Sequence, residues 1–162
     1  MQKIEMKAVF GLIVLAIITR LMPHPPNFAP ITGIALFSGY HFVNKRIALL
    51  IPLVGLFISD LFIGLHALIP VIYMSFVLIT VMGLYVKKLS LPEVLGASIS
   101  FFILSNLGVW YFYYPLTQAG LIQCFIMALP FFANTLAGDL FYTALLQFSF
   151  EKFIRTSVSH QN

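Results

Sequence analysis

Long apolar runs, separated by short polar segments, are the feature that most constrains what this 162-residue chain can fold into. Lys, Arg, Asp and Glu make up only 9% of the sequence, whereas about a quarter of a typical soluble domain is charged. Nine basic and five acidic residues are too few to cover the surface of a soluble domain of this length. The 60% hydrophobic content also excludes a disordered chain. We therefore predict an all-α integral membrane protein.

The apolar runs are sufficient for six transmembrane helices in a single domain, residues 1–155, followed by a polar tail, residues 156–162. The predicted spans cover residues 8–22, 28–43, 47–63, 67–86, 92–114 and 131–150. The first run opens like a signal peptide, but no cleavage pattern of small residues follows, so we interpret it as a retained helix. The stretch 115–129 is open to two interpretations, a short surface helix or a re-entrant segment. Pro130 is expected to separate it from the sixth span.

Two local patterns add detail to this plan. Small residues in the second span, including Gly33 and Gly39, allow neighbouring helices to approach closely. Ser90, Pro92 and Glu93 form a typical helix start, with a capping serine, a proline in the first turn and a glutamate at the third helical position.

The basic residues are distributed unevenly between the two ends of such a bundle. The side that carries both termini collects eight of them: Lys3, Lys7, Lys45, Arg46, Lys87, Lys88, Lys152 and Arg155. The opposite side has Arg20 alone. The positive-inside rule then predicts that both termini are cytoplasmic. The net charge of +4 is explained by this orientation and does not indicate a nucleic-acid partner.

Three charged residues remain for the outer half of the bundle, namely Arg20, Asp60 and Asp139. A carboxylate within a transmembrane helix costs about 2.5–3.5 kcal/mol on insertion scales, so it normally faces the bundle interior and has a partner. One interpretation is an ion pair between Arg20 and either aspartate that merely holds the helices together. The other is a polar, outward-facing pocket in which these groups contact a solute. Both interpretations can hold together.

Several other polar residues are candidates for lining the same pocket: His24, Asn27, His66, Asn106, Trp110 and Asn134. A hydrogen bond between helices is the simpler interpretation for Asn106, and an interfacial aromatic belt is the simpler one for Trp110. We expect the lone Cys124 to be a buried, inert thiol, with contact to a soft metal or cobalt as the alternative. No Cys/His pair has metal-ligand spacing, and no nucleotide-binding or common catalytic motif is present. We therefore predict no metal, no cofactor and no enzyme activity.

Some of these residues lie in longer motifs: 20-RLMPHPPNFAPI-31, 59-SDLFIGLH-66, 106-NLGVW-110 and 129-LPFFANTLAGDLFY-142. With these motifs the chain resembles an uncharacterised bacterial family of domain-of-unknown-function proteins described as transport proteins. The six-helix plan is similar to that of the S components of energy-coupling-factor (ECF) transporters. That similarity implies capture of a vitamin or similar micronutrient near the outer face, and docking on a transmembrane subunit with two ATPases. S components generally carry a pair of alanines four residues apart on their first helix. Here small pairs with that spacing occur in the second and third spans instead.

Three functions follow as hypotheses. The first is a transport protein or substrate-binding subunit that captures a small solute, with membrane lipids and an ECF-type module as its other partners. The second is a membrane-embedded enzyme for a lipid or hydrophobic substrate, in which Asp60, Asp139 and His66 would supply acid and base. The third is a structural or assembly subunit that presents its small-residue helix faces to a partner.

Overall fold

The computed structural model describes residues 3–23 and 25–159, and within these ranges all regular secondary structure is α-helical. The six helices are α1 (Lys3–Leu21), α2 (Ile31–His41), α3 (Lys45–Ile63), α4 (Ile69–Tyr85), α5 (Leu91–Tyr113) and α6 (Gln118–Ser159). Among the described residues, three segments are long and apolar enough to cross a membrane: Lys45–Ile63, Leu91–Tyr113 and Gln118–Lys152. The helical class is confirmed, and these segments are consistent with a membrane protein.

The last helix differs from its prediction, because α6 is continuous from Gln118 through Pro130. The prediction that Pro130 separates a short segment from the sixth span is therefore wrong. Thr117 starts the helix, since its hydroxyl accepts a hydrogen bond from the Gly120 N–H at 3.1 Å, as an N-cap residue does. Pro130 removes one backbone hydrogen bond, a defect that apolar spanning helices tolerate. As a result Asp139 lies near the middle of α6, about 30 Å along the helix from its first residue.

Helix α2 is the centre of the bundle. It contacts all five other helices, and nine of its eleven residues are buried. It begins at Ile31, after a loop that includes a turn in which the Phe28 N–H donates to the Pro25 carbonyl at 3.0 Å. Asn27 has a φ of 63° in this turn, a left-handed conformation that Asn tolerates better than most residues. The short α2 therefore starts inside the bundle, below this loop.

Small residues let α2 lie directly against its neighbours. A Cβ added to Gly39 would meet the Thr80 carbonyl oxygen at 2.2 Å, and one added to Gly83 would meet the Leu36 carbonyl oxygen at 2.4 Å. The backbones of α2 and α4 are thus in contact where these two glycines face each other. The predicted close approach of the second span is confirmed.

The ends of the helices are fixed by local signals. Asn44 caps α3 by accepting hydrogen bonds from the backbone N–H groups of Arg46 and Ile47 at 3.0 and 3.3 Å. The predicted start of α5 is confirmed, because the helix begins at Leu91 and the Ser90 N–H donates to a Glu93 carboxylate oxygen at 3.1 Å.

Substitution of Gly39 by Ala tests the contact between α2 and α4. The new methyl group meets backbone that cannot rotate away, so we expect Gly39→Ala to lower the free energy of unfolding by about 3 kcal/mol or to prevent folding. Gly11→Ala is the matched control, since a Cβ at Gly11 has no heavy atom within 4 Å. Thermal unfolding in detergent should show the control at or slightly above the wild-type melting temperature. Equal melting temperatures for both variants would contradict the close contact.

Candidate functional site

Arg20 and Asp60 form a short ion pair between the ends of α1 and α3. The Arg20 guanidinium donates from Nη2 to Asp60 Oδ1 at 2.6 Å. The Tyr73 hydroxyl of α4 donates to the other carboxylate oxygen, Oδ2, at 2.8 Å. Asp60 is only 1% exposed, so a charge there requires such partners. Both carboxylate oxygens are engaged, and the pair with its tyrosine joins α1, α3 and α4. Of the two pairings that the structural interpretation allowed, Arg20 forms the one with Asp60.

Asp139 has a different environment. The Ser98 hydroxyl of α5 donates to Asp139 Oδ2 at 2.6 Å. The second oxygen, Oδ1, has no hydrogen-bond partner among the described residues, although Asp139 is only 1% exposed. Arg20 is bonded to Asp60 and does not pair with Asp139. A buried polar atom without a partner is rare in folded proteins, and it requires a specific explanation.

Asp139 lines a cavity of about 250 Å³ at the centre of the bundle, which we call the Asp139 cavity. All six helices or their connections contribute to its wall: Arg20, Asn27, Ala29, Ile31, Thr32, Leu56, Ile63, Ile72, Phe76, Phe101, Thr135 and Asp139. The wall combines one ion-paired cation, one carboxylate, one asparagine, two threonines and an apolar remainder. This mixture is typical of small-molecule sites, which are mostly apolar with a few polar groups that fix orientation.

A second cavity of about 510 Å³, the Asn106 cavity, lies between α4, α5 and α6. It shares Asn27, Ile72, Phe101 and Thr135 with the Asp139 cavity, so the two are neighbours across these four side chains. Its own lining is aromatic and aliphatic, with Ser105 and Asn106 as its additional polar members. Asn27, which is exposed in the loop before α2, therefore lies between both cavities and the surface.

The predicted site residues divide into two groups. Arg20, Asn27 and Asp139 line the Asp139 cavity, and Asn106 lines the neighbouring one. Asp60 reaches the first cavity only through its bond to Arg20. The Asn106 side chain donates to the Phe102 carbonyl of its own helix at 2.7 Å, rather than to another helix.

The second group lies away from both cavities. Trp110 donates to the Pro115 carbonyl at 3.0 Å and so stabilises the connection between α5 and α6. His66 is exposed in the loop before α4, and Asn134 is half-buried on another face of α6. None of these three lines the Asp139 or the Asn106 cavity. His24 lies outside the described residues.

Sequence reasoning missed four polar residues of the site: Thr32, Tyr73, Ser98 and Thr135. Thr135 had a usable signal, because it precedes Asp139 by one helical turn and so shares its face, whereas Asn134 does not. Ser98 and Tyr73 had none, since pairing across helices depends on a packing that a single sequence does not reveal.

Cys124 is buried, and its thiol donates to the Asn106 carbonyl at 3.5 Å. This environment accords with the inert role expected for it. In the part of the chain that the structure describes, no group of three or more His, Cys, Asp or Glu side chains is placed to hold a metal ion.

The ion pair at Asp60 generates a stability prediction. Arg20→Gln leaves a buried carboxylate without its cation, and we expect it to lower the free energy of unfolding by about 3–5 kcal/mol. The double variant Arg20→Gln/Asp60→Asn removes both charges and should recover most of that loss. Tyr73→Phe removes one hydrogen bond and should cost about 1 kcal/mol. Chemical denaturation in detergent measures all three, and a double variant no more stable than Arg20→Gln would contradict the ion pair.

Comparisons with known proteins add one finding to this geometry. No curated protein and no solved structure matches the chain. The family of unknown function DUF6580 matches residues 2–160. The expected membership of an uncharacterised family is thereby confirmed, whereas the similarity to ECF S components stays a prediction. Over almost its whole length, the chain belongs to this family of unknown function, DUF6580.

Proposed function

We propose that this protein binds a small solute in the Asp139 cavity and acts as a transport protein or as the substrate-binding subunit of a transporter. The observation that carries the proposal is Asp139 Oδ1, a buried acceptor without a partner among the described residues, in a side chain that lines the Asp139 cavity. Burial of an unpaired carboxylate oxygen is unfavourable, and a bound ligand with a hydrogen-bond donor would relieve that penalty. In membrane proteins such a residue is a functional-site candidate by default.

The same geometry supports binding over acid–base catalysis. An enzyme of the kind considered above needs two free carboxylates close to a histidine. Asp60 has both oxygens engaged by Arg20 and Tyr73, and His66 lies outside both cavities. Among the described residues, the three candidates for acid and base are therefore not assembled.

A purely structural role is also less well supported. The small residues that were candidates for a partner surface are used inside the bundle. Gly33 lies against Thr143, Gly39 against α4, and Gly55 against Ala16 of α1. These contacts hold the helices of one chain together, so those faces are not available to a second protein.

The proposal includes a topology of six membrane spans in a bacterial inner membrane, with both termini cytoplasmic. Helix α2 has only eleven residues, about 16 Å, so the loop before it would have to complete the second span. The support for this topology is the distribution of charge. The Gln147 side chain donates to the Leu89 carbonyl at 2.7 Å, which brings the second half of α6 to the same end as the connection after Lys87 and Lys88. Basic residues gather at this end, and Arg20 lies at the other. The Arg20 end would then face outwards. Docking on an ECF-type module with ATPases is part of the proposal and rests on the similarity of the six-helix plan alone.

The binding proposal predicts that the purified full-length protein retains a small molecule. Native mass spectrometry from mild detergent should show a ligand-bound species for the wild type. Asp139→Asn keeps the size and the bond to Ser98 but changes the free acceptor, so we expect at least a tenfold loss of the bound fraction. Asn134→Ala, on another face of α6 and outside the cavity, should retain the ligand.

The result that would overturn the proposal is equally specific. A wild-type protein that retains no molecule, and that is not stabilised by any compound of a micronutrient panel, does not bind solutes in this cavity. Retention by Asp139→Asn at the wild-type level would place the ligand elsewhere.

The topology predicts which positions a membrane-impermeant maleimide can reach in intact bacteria. In a Cys124→Ala background, His66→Cys should react in intact cells, because it lies in an exposed loop at the Arg20 end. Lys87→Cys should react only after the membrane is opened. The reverse pattern would contradict the proposed orientation, and labelling of both positions in intact cells would contradict the span count.

A further inference from the structure

We propose that the ligand of the Asp139 cavity is a small organic cation with a flat, apolar body. This inference rests on the proposed function and specifies its substrate class. It is drawn from the charges that line the cavity, from the aromatic groups of its wall and from its volume.

The first step is the charge of the cavity. Arg20 and Asp139 are the charged residues among its described lining. The guanidinium of Arg20 is paired with Asp60 at 2.6 Å, so these two charges cancel each other locally. Asp139 has no such counter-charge, because Ser98 supplies only a neutral hydroxyl. A cationic ligand would supply the counter-charge that an ionised Asp139 does not receive from the described residues.

The start of α2 contributes a weaker opposing effect. Ile31 and Thr32, in the first turn of α2, line the same cavity, and no side chain caps this helix. The N-terminal end of a helix carries a partial charge of about +0.5. This value is smaller than the charge of an ionised Asp139, so a cation remains the ligand that best compensates that form of the residue. A neutral donor would satisfy Oδ1 but would leave the charge uncompensated.

The second step is the aromatic wall. Phe76 and Phe101 both line the cavity, and their rings are stacked with centroids 4.9 Å apart and planes 26° apart. Phe76 is only 3% exposed, so its ring is held in place by packing. The wall thus offers aromatic surface against which a flat apolar body can pack.

The third step is size. A cavity of about 250 Å³ is small for a ligand site, since such sites commonly have about 300–1,000 Å³. An engineered cavity of about 150 Å³ accommodates benzene, so one ring with a short amine fits here. A larger body would have to extend past Ile72 and Phe101 into the Asn106 cavity.

Three probes of similar size separate charge from shape: benzylamine, which is a cation at neutral pH, benzyl alcohol, which is neutral, and benzoate, which is an anion. Binding of each to the full-length protein in detergent is measured by calorimetry, in potassium and in sodium buffers. We expect benzylamine to bind at least tenfold more tightly than either of the others, in both buffers. Asp139→Asn should abolish this preference. Phe101→Leu should weaken benzylamine binding several-fold, and Asn134→Ala should leave it unchanged.

The outcomes distinguish the two proposals. If benzyl alcohol or benzoate binds as tightly as benzylamine or more tightly, and this binding is lost in Asp139→Asn, the cation assignment is overturned. The proposed function is then left intact. Benzylamine binding that persists in Asp139→Asn also overturns the cation assignment. Stabilisation by sodium that depends on Asp139, without any response to benzylamine, shows a metal-cation site and overturns the organic class. If no probe binds, the molecule retained in native mass spectrometry tests the assignment: a retained organic cation supports it, and a retained neutral molecule or anion overturns it. The absence of any retained molecule overturns both proposals.

Discussion

The direct backbone contact between α2 and α4 is the constraint on which the rest of the bundle depends. Gly39 and Gly83 face each other so closely that neither tolerates a methyl group. Without that contact, an eleven-residue helix of about 16 Å could not lie at the centre of five others. Its short length in turn leaves room above its first turn. The Asp139 cavity occupies this space, lined by Ile31 and Thr32 below and by Arg20 and Asn27 towards the surface.

The two buried aspartates show how partners determine what a carboxylate can do. They are equally buried, at 1% exposure each, so burial does not distinguish them. Asp60 receives a guanidinium and a phenol, one on each oxygen. Asp139 has only neutral hydroxyl groups beside it, from Ser98 and Thr32, and its Oδ1 has no hydrogen-bond partner among the described residues. The difference between the two aspartates therefore lies in the charge and the placement of the donors around them.

Much of this arrangement could be predicted from the sequence because it depends on local patterns. The helix starts at Asn44 and Ser90 and the small residues of α2 follow from short-range rules. An ion pair between Arg20 and one of the two aspartates followed from scarcity, since Arg20 was the only cation available at that end, but the choice of Asp60 did not. The start of α6 was not predicted, because the stretch 115–129 was open to two interpretations, although Thr117 and Gly120 form an N-cap and a first turn there. The effect of Pro130 was overestimated, because helices of an apolar bundle tolerate a proline within them.

The partner of Asp139 could not be predicted in this way, and the reason is physical. Ser98 lies forty-one residues away in sequence, on a helix whose rotation is set by packing against α4 and α6. Helix α5 has three serines, and two of them, Ser100 and Ser105, bond only to their own helix. Only the packed bundle selects Ser98 and leaves the other oxygen of Asp139 unpaired. A single sequence can identify a buried charge that requires a partner. Which oxygen of that group stays without a hydrogen bond depends on the packing of the helices. In this bundle the unpaired oxygen of Asp139 is the observation that points to a ligand.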